Sequence, residues 1–547
     1  MNSIDFDEFT FVKSVRRFNG FSPRKVGITT TIVYAALLIV MYIFHEPWLD
    51  EAQSWLIARD ASFHDMLFVL PKYEGHVPLW WFILSVPAKL GVPYEPGLKS
   101  INFIFAIATI GLIELKTKLP NAAKIFLPFG YFMFYQYGVI SRPYMLLALT
   151  MVLSGIFFKE RDTNPWKYTL TLILLCLTDT YGIAIAGGLA MAWIWDIARR
   201  EPKAFFENIT RKNPQRFLGF LTLLAAAIFC LILAWPDDSA IGLYNAESTA
   251  VHGPVASFFL ELFLVPSEVF FTSFANFGLM GSIDLEAWQY IVVILLGIFV
   301  WAAVICYTVK RKISAEVILP STLVFLVGTQ YMIAYHYGFI FLIILRAFIA
   351  GQEIETENKK IDLFTFVSCT ALAVSFLISL YWTFASCFTD ILYPYWIGRD
   401  AYEWIEENNL EEGYTWFETW DTETYLAGEY TTPINPYLSE PLIYNGTGTS
   451  YLVLKSETEE EFNEKLEQWK TEGAPDFIVG RDTDVIFSQI EELGLTENYD
   501  MVYIRECRRS YKDDFTKGGI IIFKRADLDV DIEYDLEDMA SIQGENR

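Results

Sequence analysis

Cysteine is scarce: six residues in a chain of 547, with no CxxC pair. Cys176, Cys230, Cys306 and Cys369 fall inside apolar runs and only Cys387 and Cys507 lie outside them, so neither a disulfide framework nor a cysteine-based zinc site organises the molecule. Positive charge is short as well, 41 Lys and Arg against 66 Asp and Glu. Gripping a phosphate backbone takes clustered Lys and Arg, which excludes nucleic acid as a partner. No small-residue cleavage site follows the basic N-terminal stretch (Lys13, Arg16, Arg17, Arg24, Lys25), so the apolar run after it reads as a first transmembrane helix rather than a signal peptide. No internal repeat is visible. The absence of paired halves with matching Gly/Pro-interrupted spans argues against a transporter or lipid flippase.

Apolar and aromatic residues are plentiful, 53% and 17% of the chain, too many for a soluble protein of this size. The charge is uneven: residues 383–547 carry 37 acidic and 13 basic side chains, nearly all of the chain's net −25. Runs long enough to cross a bilayer, roughly 20 residues each, are expected at 27–44, 98–115, 122–139, 143–158, 166–181, 183–198, 217–235, 287–309, 315–334, 337–350 and 362–382. With the N-terminus inside, the basic loops "KTKLPNAAK", "KERDTNPWK", "RREPKAFFENITRKNPQR" and "KRK" all fall on the cytoplasmic side, as the positive-inside rule requires. The fold class expected is therefore a polytopic α-helical membrane protein of about 11 spans with a small extracytoplasmic α/β domain. Its parts are a cytoplasmic segment (1–26), the membrane domain (27–382, with a first outer loop at 45–97), the α/β domain (383–526) and an acidic, disordered tail (527–547). The α/β domain is read from strand-like runs "YTWFE", "SYLVLK", "DFIVG", "MVYIRE" and "GIIIFK", alternating with amphipathic "DAYEWIEENN", "EEEFNEKLEQWK" and "DVIFSQIEELG". "GHVPLWWFILSVPAKL" and "ASFFLELFLVPSEVFF" are expected to lie at the membrane surface.

This threading gathers polar groups on one face. Asp50 and Glu51 open "DEAQSWLIARD", whose Trp55, Leu56 and Ile57 suit an interfacial helix. Two acidic residues there could simply complement a helix N-terminus. His45, His76, Arg142, Asp179 and His336 are expected at the same boundary, however, and ionisable groups near a bilayer are costly enough to mark function. Asp50, Glu51 and Asp179 could hold a divalent ion, although no ligand spacing demands a metal or other cofactor.

The "DEA" after the first span, "GHVPLWWFIL", and "SRPYMLLALTMVLS" opening a later span together resemble the C-type (GT-C fold) integral-membrane glycosyltransferases, which include protein O-mannosyltransferases and the bacterial transferases that add aminoarabinose to lipid A. The resemblance covers residues 27–200; beyond that it is one of topology. The departures are Val77–Pro78 in place of two prolines, Lys99 in place of an Arg, and "YHYGF" in place of an Arg-rich turn. What the resemblance implies is a polyprenyl-phosphate-linked sugar as donor, an outer-face site, inversion at the anomeric carbon, and a glycan, lipid or protein acceptor. Phosphate is a good leaving group, so one base suffices where a glycosidase needs a second carboxyl acid. Asp50 would take the acceptor proton with Glu51 beside it. Arg142 and His336 would bind the donor phosphate, with His76, His45, Tyr144 and Asp179 around them. An oligosaccharide ligase or polymerase of envelope polysaccharide is the alternative enzyme, to be decided by the loop 236–286.

Overall fold

The computed structural model describes residues 17, 19–200, 202–205, 207, 213–241, 252–275, 280, 283–352, 354, 363–442, 449–495 and 497–536. Each expected span coincides with helical structure. Among the described residues, seven helices are long and apolar enough to cross a membrane: Pro23–Phe44, Tyr94–Lys116, Thr180–Arg200, Pro214–Leu233, Ala287–Arg311, Ala334–Gln352 and Leu363–Leu392. The other four expected spans are shorter or interrupted. Tyr144–Ile156, Pro165–Cys176 and Ala315–Gly328 have 13, 12 and 14 residues, about 20 Å of helix at 1.5 Å per residue. The run at 122–139 breaks at Pro128 and Gly130 into Asn121–Phe126 and a wide-turn π stretch, Phe132–Val139.

Helix Pro23–Phe44 shows why these segments want lipid. Gly27, Thr30, Tyr34, Leu38 and Met41, spaced three or four apart, form its buried face. Ile32, Leu37, Ile39 and Ile43 on the other side are exposed, an arrangement stable only where apolar side chains need not meet water. Helix Pro254–Phe270 departs from its expected surface placement. Its Glu261, Leu264, Val265 and Val269 are buried because it packs along Ala287–Arg311, Ala315–Gly328 and Gly338–Gln352.

The first outer loop folds into helices Leu49–Asp60, Phe63–Phe68, Pro71–Glu74 and Leu79–Lys89. Trp55, Leu56 and Ile57 do not face lipid as expected; they form a core with Trp80, Trp81, Leu84, Tyr94 and Leu98. At 11 residues with an internal Pro87, Leu79–Lys89 is too short to span.

The C-terminal domain is a five-stranded sheet in the order β1-β2-β4-β3-β5, with β1 Trp416–Glu418, β2 Phe477–Gly480, β3 Tyr499–Tyr511, β4 Asp514–Arg525 and β5 Asp535–Leu536. β3 and β4 form a long antiparallel hairpin; β1 runs parallel to β2, and β5 parallel to β3. Three expectations change here. The last bundle helix continues to Leu392 rather than ending at 382. "SYLVLK" is not a sheet strand: it docks on the first outer loop, where the Leu452 carbonyl accepts from Gln53 Nε2 at 2.6 Å and the Leu452 N–H donates to Gln53 Oε1 at 2.9 Å. The tail is ordered through 536, because Leu528, Val530 and Ile532 pack on the core and Asp535–Leu536 extends the sheet; residues 537–547 lie outside those described.

The hairpin tip reaches into the bundle. Lys512, in the left-handed region at φ 58°, is fully buried with Glu268. Its Nζ lies 2.6 Å from the Glu268 carbonyl, 3.0 Å from the Glu268 carboxylate and 2.6 Å from the Thr272 carbonyl.

Candidate active site

At the end of the bundle that carries the sheet domain, the first turn of Leu49–Asp60 sends two adjacent carboxylates in different directions. Glu51 turns inward and is wholly buried. It accepts from the Ser141 N–H at 2.6 Å and the Trp48 N–H at 3.2 Å, and meets His45 Nε2 at 3.2 Å. The carboxylate thereby ties the loop that follows the first span to "SRPY". Asp50 turns the other way, its side chain 31% exposed, into an ion pair with Arg142 Nη1.

Arg142 stands just before helix Tyr144–Ile156, held among the rings of Trp48, Tyr144 and Tyr335 at 5.7, 5.1 and 5.0 Å from their centres. Cation–π attraction of this kind fixes a guanidinium without consuming its N–H donors. Nη2 faces His76 Nε2 at 3.4 Å, and His76 Nδ1 lies 2.8 Å from Asp179 Oδ2. Asp179 also accepts from the Tyr181 N–H at 2.8 Å, capping helix Thr180–Arg200. With Nδ1 beside Asp179, Nε2 is the ring nitrogen turned toward Arg142. Four of the expected residues therefore form one chain, Asp50–Arg142–His76–Asp179, open to solvent at the Asp50 end.

Two of the expected histidines stand elsewhere. His336 is bound within the bundle end: its Nδ1 accepts from the Ile333 N–H at 3.3 Å and its Nε2 meets the Tyr144 hydroxyl at 3.2 Å. It orients Tyr144, with Tyr335, Tyr181 and Phe339 packed around its ring. His45 is fully buried between Glu51 and Asp390, whose Oδ2 lies 2.9 Å from Nδ1. Burial opposes its charge, but the two carboxylates outweigh burial and push the imidazole up to about 9. The line continues from Asp390 Oδ1 to the Tyr135 hydroxyl at 2.7 Å, and from there to Ser510 on β3 at 2.6 Å. Lys99, standing where an Arg was expected, holds the Tyr42 and His45 carbonyls at the end of the first span and pairs with Glu95.

Sequence reasoning missed Glu74. It ends helix Pro71–Glu74 and accepts from Gln53 Nε2 at 2.8 Å, within electrostatic reach of His76, Asp50 and Arg142. Burial pushes its carboxyl up to about 7, against the pull of the Gln53 hydrogen bond and His76. Its only signal was its place two residues before His76 in "YEGH". Among the described residues, no three His, Cys, Asp or Glu side chains are grouped so as to hold a metal ion.

No family model matches the chain, and no curated protein matches it either. Among solved structures, it is similar to ArnT from Cupriavidus metallidurans bound to undecaprenyl phosphate, with TM-score 0.48 and 12% identity over 91% of this chain and 98% of that one. It is similar to the arabinofuranosyltransferase AftD from Mycobacteria with TM-score 0.41 and 13% identity, over 93% of this chain and 40% of AftD, so it spans about two fifths of AftD's length. The apo ArnT structure gives TM-score 0.40 and 14% identity over 90% and 97%.

Proposed function

We propose that the protein moves a sugar from a polyprenyl-phosphate-linked donor to an acceptor hydroxyl at the outer face of the membrane, with inversion. The observation that carries this reading is the Asp50–Arg142 pair: a half-exposed carboxylate beside a guanidinium held by three aromatic rings, at the end of an apolar bundle. A lipid phosphate arriving along the bundle meets Arg142, which can bind it bidentately. An acceptor arriving from water meets Asp50. The acceptor oxygen attacks the anomeric carbon as the carbon–oxygen bond to phosphate breaks. The bonding pair leaves with the phosphate, and the acceptor proton passes to Asp50. Glu51 fixes the angle of the Asp50 turn, and Glu74 is suited by its carboxyl near neutrality to accept the proton onward. In this reading the N-terminus is cytoplasmic, and residues 393–536 form an extracytoplasmic domain seated over the site.

The test is transfer by the purified full chain in nanodiscs, offered undecaprenyl-phosphate-linked hexoses and pentoses and an envelope glycan extract. Formation of undecaprenyl phosphate together with an inverted glycosidic linkage, read by mass spectrometry and NMR, is the expected result. Binding without turnover for every sugar offered, or retention of configuration, would overturn it.

A further inference from the structure

Trp48 has two guanidinium neighbours, not one. Arg142 of the bundle lies 5.7 Å from the centre of its ring and Arg509 of β3 lies 5.2 Å from it. The two charges therefore lie beside one indole and within about 11 Å of each other, and a phosphate reaches a guanidinium through charge-assisted hydrogen bonds of about 2.8 Å. Arg509 is set there by its neighbours. The Arg508 N–H donates to the Pro394 carbonyl at 2.9 Å, the Ser510 hydroxyl meets Tyr135 at 2.6 Å, and Lys512 is anchored on Glu268. A third group of the same domain, Glu429, lies within electrostatic reach of Arg481, Arg509 and Asp50.

We infer that Arg509 is a second phosphate-binding residue of the donor site, contributed by the C-terminal domain. This rests on the donor class proposed above. The charge balance of the reaction motivates it. The donor phosphodiester carries one negative charge, which Arg142 can match only by sharing itself with Asp50. As the anomeric carbon–oxygen bond breaks, the electron pair stays on the phosphate, and the acceptor proton neutralises Asp50. The phosphate becomes a monoester with a second negative charge while Arg142 is released from its partner. Arg509 then acts on the phosphate charge that exists only once the bond has begun to break.

The experiment titrates undecaprenyl phosphate into the full chain in nanodiscs, comparing wild type with Arg142→Ala, Arg509→Gln and Arg509→Lys, alongside their melting temperatures. Loss of a charge-assisted hydrogen bond should weaken binding by Arg509→Gln by about ten-fold or more, with little change in melting. Arg509→Lys should recover part, since the charge survives and the fork does not. A wild-type protein that fails to bind undecaprenyl phosphate would overturn the donor class, and this inference with it. Binding weakened by Arg142→Ala but unchanged in Arg509→Gln would overturn this inference alone. A lowered melting temperature with unchanged affinity in both Arg509 variants would assign Arg509 a packing role instead.

Discussion

The two ends of the helical bundle each hold arginines among carboxylates, and they are built to opposite ends. At the far end, Arg161 bridges Glu316 at 2.5 Å and Asp196 at 2.7 Å, while Arg346 binds Glu316 at 2.6 Å and the Tyr168 hydroxyl at 2.8 Å. Glu316 and both arginines are almost completely buried, and both Glu316 oxygens are claimed. At the domain end, Arg142 is as deeply set, but its carboxylate partner Asp50 keeps nearly a third of its side chain in contact with solvent. A network whose shared carboxylate, Glu316, is buried fixes helices against one another. A network open on its acidic side can exchange a proton.

The sharpest way to break this contrast is to make the same isosteric change at each end. Asp50→Asn should cost about a hundred- to ten-thousand-fold in transfer rate and lower the melting temperature less than the change at the far end, since Asp50 is a partly exposed partner of Arg142. Glu316→Gln should do the reverse: it takes the carboxylate from the buried Arg346 while Arg161 keeps Asp196, a loss of about 3–5 kcal/mol visible in thermal unfolding, while the folded fraction keeps its turnover. Matching losses of activity at both ends, at unchanged stability, would erase the distinction.

The His45 sandwich sharpens it further. Its imidazole is raised in the folded protein, so the stability it contributes is complete below its ordinary value of 6.5 and is lost as pH rises through about 9. Melting temperature should therefore fall across that window, and His45→Gln should flatten the decline. A slope that survives the substitution would place its source elsewhere. The smallest expected effect is at Glu74, where Glu74→Gln should lower turnover by roughly a hundred-fold, the lower end of what proton-transfer groups contribute. Because a base must be unprotonated, the wild-type rate should climb with pH through about 7, and the variant should lose that limb.

Most of the bundle was legible because lipid-facing helices repeat apolar residues without interruption, and every expected span found a helix. The breaks at Pro128 and Gly130 were present in the sequence, but composition alone joined them into one run. Strand runs flanking the hairpin were readable from their β-branched content. "SYLVLK" has the same content, and it was drawn away by Gln53, nearly 400 positions distant. The site divides in a similar way. Asp50, Arg142, His76 and Asp179 stand at helix ends where charge near a membrane is conspicuous. Glu74 looked like any surface acid, and Asp390 lay beyond where the last span seemed to finish. The sequence pattern exposes a group that is costly at its own position, but not one whose role depends on a partner brought by the fold.

The buried contact between Lys512 and Glu268 also imposes a timetable. The two residues are 244 positions apart, and at typical synthesis rates of about 5–20 residues per second the ribosome needs roughly ten to fifty seconds to deliver the second after the first. Throughout that interval helix Pro254–Phe270 has already been made and its acid has no counter-ion from β3. The membrane part cannot close in its final form before the hairpin exists. The sheet domain is thus the last piece of the bundle's own assembly, and a chain that ends before the hairpin would leave Glu268 without Lys512.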